Sequence, residues 1–279
     1  MKNRFLTVRK ISSFKSFLIE EEKSDATIEK YIRDVNAFFS FSGSEICKDT
    51  VIAYKQKITD EYAVRSVNSM LASINALFAF LGWAELKVKS LKVQQQVYCP
   101  EEKELTKQEY LRLCRTAEKS GNERLSLILQ TICATGIRVS ELRFITVEAV
   151  KKSEAAVSCK GKRRTVFIVK ELQKKLLRYA REQGITSGAV FVTRTGKIMS
   201  RTNIWREMKV LCKEADVNPQ KVFPHNLRHL FARVFYNIEK DIAKLADILG
   251  HSSINTTRIY IISTGSEHRR RMEKMRLIT

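Results

Sequence analysis

Chain breakers are scarce in this 279-residue sequence, which has three prolines (Pro100, Pro219, Pro224) and ten glycines. That scarcity excludes a turn-rich or low-complexity chain and predicts a fold dominated by helices. No apolar run approaches the ~20 residues that a membrane span needs. The charged start, Met1-Lys2-Asn3-Arg4, is not followed by the apolar stretch of a signal peptide. A soluble, cytoplasmic protein is therefore expected. The six cysteines (Cys47, Cys99, Cys114, Cys133, Cys159, Cys212) form no CxxC pair and no ligand spacing. They read as free thiols, mostly buried, in a reducing cytosol, and no metal is expected. Glu20-Glu21-Glu22 reads as a solvated helix end. The convergent carboxylates of metal-dependent strand transfer are thus missing, as is a glycine loop for a nucleotide phosphate.

Positive charge is what the chain has in excess. The formal net charge is +21, far beyond the needs of solubility, and it predicts an extended polyanion as partner. Residues 1–100 hold 15 Lys and Arg against 11 Asp and Glu, a net of +4, whereas residues 101–279 hold 36 against 19, a net of +17. The stronger phosphate grip is therefore expected in the C-terminal part. A ribosomal or general RNA-binding protein would carry the same charge, so charge alone does not choose the partner.

Apolar residues recur at helical spacing at Ile11, Phe14, Phe17 and Leu18, again from Ile28 to Phe39, and again from Val64 to Trp83. With a shorter helix near Thr50–Asp60 they predict a compact four-helix unit over residues 1–87. Residues 88–103 are polar, aperiodic and contain Pro100, as a linker would be. Thr106-Lys-Gln-Glu109 is a capping box that opens the next domain, residues 104–279. There, a helix at Leu125–Ala134 stops at Gly136. Two strands, Ala155–Cys159 and Thr165–Val169, flank the basic turn Lys160–Arg164, and Val190–Val192 is a candidate third strand. Helices are expected over Lys170–Arg181, Thr202–Ala215, Asn226–Tyr236 and Asp241–Leu249. The fold class is mainly α with a small antiparallel sheet, in two domains, the second mixed α+β.

Four short constellations carry chemistry, all in the basic part: Gly136-Ile-Arg138-Val-Ser-Glu141-Leu, the turn at Lys160, His225-Asn-Leu-Arg228-His229, and Leu249-Gly-His251-Ser-Ser-Ile-Asn-Thr-Thr-Arg-Ile-Tyr260. Taken singly, Arg138 reads as a helix-end arginine, Lys160 as a phosphate-grasping turn residue and Tyr260 as a core tyrosine. Their conjunction points elsewhere. Three of only four histidines fall in two of these motifs, each beside an arginine or a tyrosine. At i, i+3 and i+4, His225, Arg228 and His229 share one helix face.

In order and spacing, this set resembles the tyrosine recombinase (phage integrase) family, in its Xer-like bacterial branch. The catalytic resemblance spans roughly residues 104–264, and the N-terminal helical unit resembles the family's core-site-binding domain more loosely. The resemblance implies an enzyme that cuts and rejoins double-stranded DNA through a 3′-phosphotyrosyl bond, without metal, ATP or other cofactor. Tyr260 would be the nucleophile and His225 its proton acceptor, because a phenol of pKa about 10 attacks poorly until deprotonated. Arg138 and Arg228 would hold the non-bridging oxygens with guanidiniums that never lose their charge. Lys160 would protonate the leaving 5′-oxygen, His251 would hydrogen-bond the scissile phosphate, and Glu141 would orient the neighbouring histidine. Many relatives carry a glycine before the hairpin lysine and a longer turn. Here Cys159 precedes Lys160 and the turn is tight, which leaves Lys162 as an alternative acid.

The resemblance further implies a tetramer on two DNA sites, accessory DNA-bending proteins as possible partners, and association with the nucleoid when DNA is bound. The segment after Tyr260 would dock into a neighbouring protomer, against the plainer reading of a basic tail touching DNA. With the helical unit beginning near Met1, a separate arm-site-binding domain is not expected. Two other readings remain open: type IB topoisomerase-like relaxation, and a non-catalytic DNA-binding regulator on the same fold.

Overall fold

The computed structural model describes residues 4–93, 101–159, 162–261, 269–270 and 272–275. The chain divides into two compact units, Met1–Gln95 and Gln96–Thr279. The first is built from α1 (Val8–Glu20), α2 (Asp25–Ser42), α3 (Lys48–Glu61) and α4 (Val64–Phe80). Each helix turns one apolar stripe inward, and Phe14, Val35, Phe38, Val51, Leu71 and Ile74 meet in its core. Thr7 caps α1 by accepting from the Lys10 amide. A pair of two-residue strands, β1 (Arg4–Phe5) and β2 (Glu45–Ile46), closes one side with Arg4 opposite Ile46. This small sheet has no periodic signal in the sequence.

Residues 88–91, at the start of the expected linker, are anchored on α4. The Val88 amide and carbonyl pair with the Asn75 side chain, and the Leu91 amide and carbonyl pair with Asn68. Two asparagines on α4 thus satisfy an extended segment that lacks secondary structure of its own.

The second unit is organised around α6 (Glu123–Thr135), which follows the box-capped α5 (Lys107–Lys119). Leu125, Leu127, Ile128, Leu129, Thr131 and Ile132 are all buried, so α6 is enclosed nearly all round, as a central helix must be. It packs against α5, α8 (Lys170–Glu182), α9 (Arg201–Glu214) and α10 (Pro224–Glu239). A 3-10 turn at Val139–Phe144 and α7 (Val147–Lys151) lead from α6 to the hairpin β3 (Glu154–Cys159) and β4 (Lys162–Phe167). Past α10, α11 (Ile242–Leu249), α12 (Ile254–Arg258) and a 3-10 turn (Ile259–Ile261) complete the path.

The architecture is mainly helical with two small antiparallel sheets, and two expectations change in detail. The register pairs Cys159 with Lys162, so β4 takes in Lys162, Arg163 and Arg164 from the expected turn, and only Lys160 and Gly161 separate the strands. Val190–Val192 is not a third strand: within it only Val192 bridges, to Ile198, and Ala189 before it bridges to Thr146. Val190 and Phe191 are both buried, against the alternation that a strand imposes. Lys160 lies outside the described residues, as does most of the expected exchange tail (262–268, 271 and 276–279). No helix among the described residues is long and apolar enough to cross a membrane.

Candidate active site

Three helix ends converge to make the site. α6 stops at Gly136, whose φ of +65° is the left-handed cap that glycine adopts without strain. A Cβ there would stand 2.5 Å from the Phe231 ring and 3.0 Å from Leu249, so only glycine lets α6 end against α10 and α11. α11 stops in the same way at Gly250, where a Cβ would stand 2.8 Å from Arg164 Cδ. α10 starts with Pro224 in its first turn, a position that needs no amide donor. His225, Arg228 and His229 follow within its first turns.

Arg228 lies at the centre, with 1% of its surface exposed. Its guanidinium donates to the carbonyl of Gly136, to that of Leu249 at 2.6 Å and to His251 Nε2 at 3.0 Å. Among the described residues no carboxylate bonds it; its cation rests instead on the carbonyl ends of two helices, where the peptide dipoles are negative. Burial and the nearby Arg138 bring its pKa down to about 10, which still leaves it charged at neutral pH. Its Nε is buried without a partner among the described residues.

A guanidinium can only donate, so His251 Nε2 accepts and its proton sits on Nδ1, 2.8 Å from Thr257 Oγ1. Burial and then Arg228 lower the His251 pKa to about 4. Burial, followed by Arg228, Arg138 and Arg201, also holds His225 below the ordinary histidine value. Both rings are therefore neutral at pH 7.

Tyr260 is buried in the 3-10 turn after α12, with its hydroxyl 3.5 Å from His225 Nδ1. That is the outer limit of a hydrogen bond, and such contacts tighten when substrate binds. All three histidines of the two motifs surround the phenol. Its ring centroid lies 5.0 Å from His225, 4.2 Å from His229 and 5.0 Å from His251. The Arg228 Cζ stands 5.8 Å from the same ring.

Glu141 is placed differently from expectation, since it touches no histidine. Its carboxylate accepts from the Arg138 amide at 2.9 Å and the Arg138 guanidinium at 3.0 Å. It also takes both terminal nitrogens of Arg164, at 3.0 and 2.7 Å. Burial pushes its pKa up, but the hydrogen bonds from Arg164 and Arg138 outweigh that and bring it down to about 2. Arg138, 36% exposed, is thereby held at the mouth of the site, its far nitrogen 3.5 Å from the Gly250 carbonyl.

Arg164 is the residue that sequence reasoning misses, because the basic turn claims it. Its signal is the alternation Arg164-Val166-Ile168, which puts the arginine on the inward face of the strand. His229 and Thr257 also escape assignment, and their contacts are tertiary. Lys162 pairs through its backbone in β4. Among the described residues no three His, Cys, Asp or Glu side chains stand so as to hold a metal ion.

A tyrosine, two arginines and two neutral histidines converging in a basic α+β unit define a DNA strand-cleaving enzyme that uses a tyrosine. Residues 103–267 match the phage integrase family, and residues 11–85 match its N-terminal SAM-like domain. The tyrosine recombinase XerA of Pyrococcus horikoshii is 30% identical, over 96% of this chain and 94% of its own length. A crystal structure of XerA recombinase matches with a TM-score of 0.55 and 26% identity, covering 97% of this chain and 99% of that one. A lambda integrase tetramer bound to a Holliday junction matches at a TM-score of 0.74 and 17% identity, covering 92% and 77%, a likeness of fold. The chain belongs to the phage integrase family of site-specific tyrosine recombinases.

Removing Arg164 would leave a buried carboxylate with two of its hydrogen bonds gone. Arg164→Ala is expected to lower unfolding stability by about 3 kcal/mol, measured by denaturant titration. Adding Glu141→Gln should recover part of that loss, because the uncompensated charge is then gone. A double variant no more stable than Arg164→Ala would contradict the pairing.

Proposed function

We propose that this chain recombines double-stranded DNA at specific sites by attack of Tyr260 on a phosphodiester held by Arg228 and Arg138. The observation that carries the reading is the Tyr260 hydroxyl beside the neutral His225, against a buried guanidinium that bonds no carboxylate among the described residues. His225 takes the phenolic proton as Tyr260 Oη bonds to phosphorus. The bond to the 5′-oxygen breaks, and Lys160 supplies that oxygen's proton. The product is a 3′-phosphotyrosyl ester, which conserves the ester's free energy, so a 5′-hydroxyl from another strand displaces Tyr260 without ATP or metal. His251 donates to the phosphate only after gaining a proton, because Nε2 accepts from Arg228 in the free protein. The arriving negative charge favours that protonation.

DNA binding is supported by the +17 net charge of residues 101–279 and by the family. Assembly as a tetramer on two sites is supported by the fold shared with lambda integrase, which is a tetramer when bound to a Holliday junction. The helical unit, residues 1–87, would grip the core site and the segment after Tyr260 would reach a neighbouring protomer. Accessory DNA-bending proteins would shape the synapse, and the cytoplasmic nucleoid is the expected location. Exchange between two sites, not relaxation alone, is favoured because the matched relative is a named recombinase over 94% of its length.

Tyr260→Phe is expected to bind DNA nearly as wild type yet form no covalent complex on a nicked suicide substrate. A denaturant-resistant adduct with that variant would place the nucleophile elsewhere. The acid is identified by replacing the bridging 5′-oxygen with sulfur, since a thiolate leaves without a proton. Lys160→Ala is expected to cleave the sulfur substrate far better than the normal one. Lys162→Ala should be weak on both and should shift the salt dependence of binding by roughly one counterion's slope. Rescue of Lys162→Ala alone would reverse the assignment.

A further inference from the structure

The three histidines around Tyr260 meet it in different ways. His225 faces the hydroxyl through Nδ1. His251 is committed to Arg228 and Thr257 through its two nitrogens. His229 does neither: its ring lies on the phenol with centroids 4.2 Å apart and planes within 15°, a stacked contact at the close end of aromatic packing. A hydroxyl proton lies near the plane of its own ring, so a stacked partner cannot accept it. The stacked contact fixes the plane of the phenol.

We propose that His229 is a positioning residue for the nucleophile, a flat clamp that presents the Tyr260 hydroxyl to His225 and to the phosphate. The need for one follows from where Tyr260 sits. It belongs to a three-residue 3-10 turn after the five-residue α12, and Ile259 beside it is about half exposed. So short a segment takes its place from what packs against it, α10 foremost. His229 comes from α10, the helix that also carries His225 and Arg228, so the clamp ties the nucleophile to the element that bears its proton acceptor and phosphate ligand. Burial, then His225, lowers the His229 pKa to about 4, so the stacked ring is neutral when the enzyme works.

The inference rests on Tyr260 being the nucleophile, and the test separates the two claims. One assay measures covalent trapping on a suicide substrate, which needs a placed tyrosine. The other joins a strand ending in a 3′-p-nitrophenyl phosphate to a strand with a 5′-hydroxyl. There the 5′-oxygen bonds to phosphorus, p-nitrophenolate departs, the hydroxyl proton leaves with the acceptor, and no tyrosine takes part. Tyr260→Phe should lose trapping and keep this joining; trapping by that variant would overturn both claims.

His229→Ala is expected to bind DNA as wild type, to slow trapping about 100-fold, the scale of a small misplacement of reacting groups, and to keep the joining reaction. His229→Phe, which restores a flat ring, should recover most of the trapping rate. Equal loss of trapping and joining in His229→Ala would mean that His229 serves the phosphate or the fold, and would overturn the clamp. So would unchanged trapping in His229→Ala, or a His229→Phe variant as slow as His229→Ala.

Discussion

The site depends on one buried charge. Arg228 is enclosed and bonds no carboxylate among the described residues, an arrangement that costs several kcal/mol unless something replaces the lost water. The replacement is structural: the guanidinium caps the carbonyl ends of α6 and α11 through Gly136 and Leu249. For both ends to reach one side chain, the helices must stop abruptly and close to α10. That is why Gly136 and Gly250 stand in left-handed conformations with Phe231, Leu249 and Arg164 where their side chains would be. Carbonyls neutralise a cation only partly. An anion such as phosphate is therefore still favoured, and a carboxylate in that place would have removed the attraction.

Glu141 shows the opposite solution close by. It is as buried as Arg228, yet it is fully paired, and its low pKa keeps it ionised throughout the working pH range. It fixes Arg138 at the mouth of the site and ties it to β4 through Arg164. One arginine is thus held by helix ends and the other by a carboxylate that a second arginine immobilises. The phosphate would meet two guanidiniums whose positions are set before DNA arrives, which is how electrostatic stabilisation avoids reorganisation during the reaction.

Much of this is legible in the residues. The capping box at Thr106–Glu109 and the stop at Gly136 stand where the residues place them, because capping is local chemistry. The three histidines of the two motifs do converge on Tyr260. What escapes is long-range. Arg164 looks like a turn residue because its partner, Glu141, lies 23 positions away. Glu141 suggests a histidine partner because nothing in the chain shows which cation will face it. His229 is visible as part of a helix face, but only the folded path of residues 254–261 lays Tyr260 against it. Val190–Val192 misleads as a short apolar run, whose strand character needs a neighbour to pair with.

The claim at the centre of the account is that Tyr260 forms the bond to DNA through a 3′-phosphate. The most direct measurement is to trap the complex on a suicide substrate, digest it with nuclease and trypsin, and locate the nucleotide by mass spectrometry. Cleavage after Arg258 and Arg269 yields a peptide, residues 259–269, in which Tyr260 is the single tyrosine. The adduct is expected on Tyr260, with a free 5′-hydroxyl at the cut end of the released strand that a kinase can phosphorylate. An adduct on any other residue, or a 3′-hydroxyl generated at the point of cleavage, would contradict the claim.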